Sequence, residues 1–190
     1  MTRVDAGHAL LLPGRGDGPH SPLLHFARRC LVEAGRDVRA LQWPRGEVGA
    51  EDVVRLVAEA AERVPGGPGQ LVLLAKSLGT LAIPWAAEHG VRGIWLTPLL
   101  QVPAVRAALS ALPPGSLLAG GTADPTWDGD VAAASGLPVL QIEGGDHGLE
   151  IPGDVQRSLA ALGRVVTAVS DTLMPTIRED LTPLRGLPLR

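Results

Sequence analysis

The stretch Gln70-Leu71-Val72-Leu73-Leu74-Ala75-Lys76-Ser77-Leu78-Gly79 decides how the rest of the chain is read. Leu71 to Leu74 form an unbroken apolar run, too short and too uniform for an amphipathic helix. The run predicts a strand buried on both faces of a parallel sheet. Leu78 to Gly90 carries a helical pattern, so Ser77 falls where the buried strand must turn sharply into a helix. A serine in such a turn has its hydroxyl pushed out above the carboxyl edge of the sheet. Ala75 and Gly79 are small, as the close approach of neighbouring backbone demands. Ala75 replaces the first glycine of Gly-x-Ser-x-Gly, a change the turn tolerates where φ stays negative.

Composition limits what can surround this turn. A chain of 190 residues is one domain by default and can bury about 70% of its unfolded surface without staples. An apolar content of 45% with a net charge of −3 describes a soluble globule and gives no basis for nucleic-acid binding. Cys30 is the only cysteine, which excludes a disulfide framework, and its place in an apolar helical pattern predicts a small buried residue. The amino-terminal residues M-T-R-V-D-A-G-H lack the apolar core of a signal peptide. No stretch approaches the roughly 18 apolar residues of a membrane span. The expectation is a cytoplasmic protein without a membrane partner. Lys76, beside Ser77, is the single lysine among 17 Lys and Arg residues.

Strand and helix patterns alternate along the chain. His8 to Pro13 predicts a first strand, and Ser21 with Pro22 a helix start that runs through Leu23, Leu24, Ala27, Cys30 and Leu31 to a stop at Gly35. Asp37 to Trp43 reads as a strand whose Arg39 and Gln42 suggest an edge position. Glu51 to Val64 predicts a helix with Glu51 and Asp52 in its first turn and a core stripe at Val53, Val57, Ala60, Ala61 and Val64. After Ser77 come a helix to His89 kinked at Pro84, a strand Gly93 to Thr97, and a short helix near Val102 to Leu112. A strand Ser116 to Gly120, a helix Thr126 to Ser135 and a strand Pro138 to Ile142 follow. Asp154 caps a long last helix with an apolar stripe at Val155, Leu159, Leu162, Val166, Val169 and Leu173. Such alternation implies a three-layer α/β/α sandwich with about six mostly parallel strands and right-handed crossovers. The domain is expected to span residues 1–173. Residues 174–190 form a tail with three prolines and no periodicity. Its Leu181, Leu184, Leu187 and Leu189 need cover from the domain or from a second copy of the chain.

In an open α/β sheet a ligand site lies off the carboxyl ends of the strands. Four loops meet there: Gly14 to His20, Lys76 to Gly79, Gly121 to Trp127 and Gly144 to Gly148. The last two read G-G-T-A-D-P-T and G-G-D-H-G. The loops thus bring a serine, a carboxylate and a histidine, Ser77, Asp124 and His147, to one edge. Each also has a plainer reading. Ser77 could cap the following helix, Asp124 before Pro125 could only start a turn, and His147 could be idle. Lys76 could be a surface lysine paired with an acid. Asp146, Asp128 and Asp130 compete with Asp124 as partner of His147. Neighbours in an extended segment point to opposite sides, which disfavours Asp146, and Asp128 and Asp130 fall within the helix expected after Thr126.

Ala75-Lys76-Ser77-Leu78-Gly79, Gly121-Thr122-Ala123-Asp124-Pro125 and Gly144-Gly145-Asp146-His147-Gly148, in the chain order Ser…Asp…His, resemble the nucleophile, acid and histidine motifs of small α/β-hydrolases. The resemblance is nearest the dienelactone-hydrolase-like and Tex30/KANL3-like groups and covers His8 to about Leu173. It implies a minimal α/β-hydrolase fold without a cap domain and a serine hydrolase acting on an ester or related small-molecule acyl substrate. Ser77 would be the nucleophile, His147 the base and Asp124 the acid that orients it. The N–H of Leu78 and one from Arg15 or Gly16 would form the oxyanion hole. Lys76 and Trp127 are candidates for substrate contact. No metal or other cofactor is required. The family places His-Gly where this chain has Pro13-Gly14, which leaves only main-chain groups for oxyanion binding there. Between Leu100 and Ser116 there is room for one short helix, so the pocket should be open and shallow.

Two other classes compete. Gly14-Arg15-Gly16 follows a strand and precedes a helix like a dinucleotide fingerprint, but Pro19 holds the place of the third glycine and the strand Asp37 to Trp43 ends without a ribose-binding acid. The third class is a catalytically inactive hydrolase fold that uses residues 174–190 to dock a partner.

Overall fold

Apolar runs become the central strands, and the strands that expose polar side chains become the edges. The computed structural model describes residues 7–16 and 21–173. Its elements alternate as β1 (His8–Leu12), α1 (Pro22–Glu33), β2 (Asp37–Ala40), α2 (Ala50–Glu62), β3 (Leu71–Lys76), α3 (Ile83–Glu88), β4 (Gly93–Leu96), α4 (Pro103–Ala108), β5 (Leu117–Gly121), α5 (Gly129–Ala134), β6 (Val139–Ile142) and α6 (Val155–Leu173). The six strands form one sheet in the order β2-β1-β3-β4-β5-β6, and every pairing is parallel. β3 is buried along its whole length, whereas β2, which carries Arg39, lies at an edge and is mostly exposed.

Side chains alternate between two cores across the sheet. Leu10, Leu12, Leu71, Leu73, Trp95 and Leu118 face α2, α3, α4 and α5. Ala9, Leu11, Val72, Leu74, Ile94 and Ile142 face α1 and α6, where Cys30 is also buried. The result is the three-layer α/β/α arrangement expected from the sequence. Between Leu100 and Ser116 the chain forms only α4 and a single 3₁₀ turn at Leu109–Ala111, so no cap covers the carboxyl edge from there.

Three local expectations are corrected. Pro84 does not kink a continuous helix: Ser77–Ala82 is a 3₁₀ turn, and Pro84 sits in the first turn of α3, where its missing N–H costs nothing. Asp128 is not inside a helix but is the N-cap of α5, accepting from the Val131 N–H at 3.0 Å, and its carboxylate pairs with Arg106 at 2.6 Å. The stripe on α6 is shifted in phase. The residues buried against the sheet are Ala161, Val165, Val169 and Leu173, while Val155 and Leu159 are 70% and 59% exposed. Val169 and Leu173 of the expected stripe are buried there, Leu162 and Val166 pack partly against the same core, and Val155 and Leu159 lie outside it.

Residues 174–190, and the expectation that they pack on the domain or a second copy, lie outside the described residues. Among the described residues no helix is long and apolar enough to cross a membrane.

Candidate active site

The turn after β3 is built by close contact and strain. Ala75 is a fully buried strand residue, and Ser77 adopts φ 49°, a left-handed conformation that few non-glycine residues take. Gly79 is required by space: a Cβ there would stand 2.4 Å from the Leu12 carbonyl oxygen of neighbouring β1. Thr80 Oγ1 donates to the Ser77 carbonyl at 2.6 Å and accepts the Leu99 N–H at 3.2 Å. The Ser77 hydroxyl is thereby fixed on a turn that packing over-determines.

The acid and histidine loops leave adjacent strands and are joined to each other. Gly121, at the end of β5, touches the backbone of Gly145, and a Cβ there would lie 2.0 Å from the Gly145 carbonyl oxygen. The Ala123 N–H donates to the Gly145 carbonyl at 2.9 Å, the Thr122 N–H to the Ile142 carbonyl at 3.0 Å, and the Gly144 N–H to Thr122 Oγ1 at 2.8 Å. These bonds carry Asp124 and His147 side by side above the sheet edge. In the sheet order β4 separates the strand of Asp124 from that of Ser77, and β4 and β5 separate the strand of His147 from it.

Ser77, His147 and Asp124 meet in one hydrogen-bonded array. His147 Nδ1 lies 2.8 Å from Asp124 Oδ2, and His147 Nε2 lies 2.7 Å from Ser77 Oγ. An ionised carboxylate only accepts, so Nδ1 carries the proton and the bare Nε2 accepts from the Ser77 hydroxyl. The Asp124 side chain is fully buried, while that of His147 is 37% exposed. The imidazole is thus open to solvent while the carboxylate bonded to it stays out of water. The other Asp124 oxygen, Oδ1, accepts from both the Thr126 N–H and Thr126 Oγ1, each at 2.8 Å.

Two of the competing carboxylates are engaged elsewhere, and the third, Asp130, lies in the first turn of α5. Asp146 Oδ1 accepts the Gly148 N–H at 2.7 Å and the Glu150 N–H at 3.1 Å, closing the turn that presents His147. Asp128 is occupied with α5 and Arg106. The two substrate-contact candidates are not brought into the array. Lys76 is 5% exposed, which overturns its reading as a surface lysine. Alternation from Val72 and Leu74 places it on the α1 and α6 side of the sheet. Trp127 packs over Gly120, where a Cβ would lie 1.9 Å from its ring, and its indole N–H donates to Gln141 Oε1 at 3.0 Å. Arg15 and Gly16 are exposed at the exit of β1, with the Arg15 guanidinium bonded to the Val48 carbonyl at 2.9 Å.

Thr126 and Thr80 went unflagged in the sequence, yet both had a signal. Asp-Pro-Thr is the pattern in which an aspartate accepts the N–H two residues on. A threonine three residues after a turn residue is placed to bond back to its carbonyl.

A groove of about 150 Å³ lies between the start of α1, the loop after His147 and α6, and none of Ser77, Asp124 and His147 lines it. Gly148 and Leu149, the residues directly after His147, form one wall, with Leu23 of α1 and Val155 and Leu159 of α6 among the others.

A six-stranded parallel sheet covered by helices on both faces makes this an α/β-hydrolase-like fold. Solved structures of that class share it. A protein of the alpha/beta hydrolase superfamily from Xanthomonas campestris superimposes with a TM-score of 0.66 at 18% identity, over 89% of this chain and 99% of that one. An alpha-beta serine hydrolase homologue from Coxiella burnetii gives 0.64 at 14% identity, over 89% and 86%. The esterase domain of a Rhodothermus marinus protein gives 0.59 at 13% identity, over 87% of each chain. No protein-family model matches the sequence, and no curated protein matches it.

Proposed function

We propose that the protein is a serine hydrolase that cleaves an ester or related acyl bond through an acyl-enzyme intermediate. The observation that carries this reading is the continuous Ser77–His147–Asp124 array, with contacts of 2.7 and 2.8 Å. Ser77 Oγ attacks the acyl carbonyl carbon as its proton passes to His147 Nε2. The imidazolium so formed is stabilised by Asp124 and returns the proton to the leaving-group oxygen as the C–O bond breaks. Water, deprotonated by the same imidazole, then attacks the acyl-enzyme, releases the acid and restores Ser77.

The N–H of Leu78 belongs to the first residues of a 3₁₀ turn, whose leading donors have no partner within the turn. Together with an N–H from Arg15 or Gly16 at the end of adjacent β1, it is the donor set for the developing oxyanion. Each such donor is worth roughly 2.7–4 kcal/mol in the transition state. Several of the structural relatives bear hydrolase or esterase descriptions, which agrees with this reading.

The test is covalent labelling. A fluorophosphonate should add one equivalent to Ser77, heat-denatured protein should take none, and Ser77→Ala should take none while remaining folded. Undiminished labelling of Ser77→Ala would remove the assignment, and no labelling of the folded native chain would favour an inactive fold.

A further inference from the structure

β4 gives no side chain to the Ser77–His147–Asp124 array, although it runs between the strand that carries Ser77 and the strand that carries Asp124. Its exit is nonetheless constrained. Thr97 is the residue after the Lys76↔Leu96 pair and so stands level with Ser77. It is fully buried and adopts φ 44°, a conformation in which a β-branched side chain is a true outlier. Strain of this kind persists only where the surroundings hold it.

The turn that Thr97 begins sends two consecutive N–H groups to opposite sides. The Leu99 N–H goes to Thr80 Oγ1 at 3.2 Å. The Leu100 N–H is shared between the Pro98 carbonyl at 2.9 Å and the Thr126 carbonyl at 3.1 Å. Thr80 is itself fully buried. Because the Leu99 N–H can only donate and the Ser77 carbonyl can only accept, the single hydroxyl proton of Thr80 goes to Ser77, 2.6 Å away. On the other side Thr126 holds Asp124 Oδ1 with its N–H and its hydroxyl. One short segment therefore touches, through one residue each, the backbone of the serine and the carboxylate that orients the histidine.

We propose that residues 97–100 act as a crosspiece that fixes the spacing of the nucleophile from its acid, and that Thr80 is the positioning residue through which it holds Ser77 in the left-handed conformation. The inference rests on the serine-hydrolase reading for its catalytic consequence. Removal of the Thr80 hydroxyl takes a partner from the Ser77 carbonyl and orphans the Leu99 N–H where the site is buried. Ser77 is then free to relax toward negative φ, which swings its Oγ away from His147 Nε2. A misplacement of about 1 Å in a reacting group costs on the order of 10²-fold in rate.

The experiment compares Thr80→Val and Thr80→Ser with Val165→Ala, which truncates the core on the opposite face of the sheet. Fluorophosphonate labelling rate, kcat and KM on one activated ester, and melting temperature are measured for each. Thr80→Val should lower the labelling rate and kcat by on the order of 10²-fold with KM little changed. Thr80→Ser, which keeps the hydroxyl, should restore them to within a few-fold, and Val165→Ala should lower the melting temperature without slowing labelling. Should Thr80→Val fail to fold, Thr80→Ala removes the same hydroxyl and is read in its place. Native labelling by a folded hydroxyl-less variant, or equal slowing by Val165→Ala, overturns the proposal. Should the native protein take no label, the hydrolase reading falls, and the backbone carbon chemical shifts of Ser77, which report φ, decide the brace alone. Loss of their left-handed signature in Thr80→Val supports it, and persistence overturns it.

Discussion

The turn after β3 and the turn after β6 each present one member of the Ser77–His147 pair, and they are held by different forces. At Ser77, half-buried between buried neighbours, the chain is left-handed and pressed against β1, with Gly79 leaving no room for a Cβ beside Leu12. At His147 the loop is partly exposed, and Asp146 gathers the Gly148 and Glu150 N–H groups while Asp124 holds the imidazole. Ser77 is thus placed by volume, backbone strain and the Thr80 hydroxyl, His147 by carboxylates. The first arrangement should be sensitive to added atoms and to loss of the Thr80 hydroxyl, and the second to lost acceptors.

The sharpest break in this comparison comes from the two aspartates of the histidine side. Asp124→Asn should leave the protein folded and lower kcat by on the order of 10⁴, as neutralising the acid of such an array does elsewhere. Asp146→Asn keeps an oxygen that accepts the same two N–H groups, so turnover on the same ester should fall by far less. The reverse ranking, in variants shown to be folded, would transfer the orienting role to Asp146.

The serine side is probed by volume. Gly79→Ala forces a Cβ against a backbone oxygen of β1, and neither strand can yield easily. Destabilisation of about 1–3 kcal/mol, the usual range for overpacking, is expected in urea unfolding, with the midpoint lowered at unchanged m. Unaltered stability would mean that the elbow is less tightly seated than its contacts imply.

The smallest effect is expected next door. The Thr97 hydroxyl is buried and has no hydrogen-bond partner among the described residues. Thr97→Val removes that unpaired group at nearly constant volume and φ preference, so the protein should be unchanged or about 1 kcal/mol more stable. Marked destabilisation would show that the hydroxyl is satisfied in solution.

Much of this architecture was readable because parallel strands buried on both faces appear as apolar runs, and Leu71 to Leu74 is such a run. The positions of Ser77, Asp124 and His147 followed from strand ends, since each strand ends where its turn residues begin. Asp146 could be set aside on backbone geometry alone, and it indeed turns to its own loop. The burial of Lys76 was not readable. A long apolar stem with a charged tip fits a surface as well as an interior, and only the cover supplied by neighbouring elements decides between them.

The order of elements, the parallel sheet and the three residues that converge on its edge were determined by the sequence itself, through local patterns that each residue reads from its near neighbours. The tertiary structure decided the phase of α6, the division of the segment after Ser77 into a 3₁₀ turn and α3, and the part played by Thr80, Leu99, Leu100 and Thr126. These depend on which surfaces meet across the sheet and which buried donors find acceptors far away in the chain. Such pairings are fixed by packing, which no local periodicity encodes.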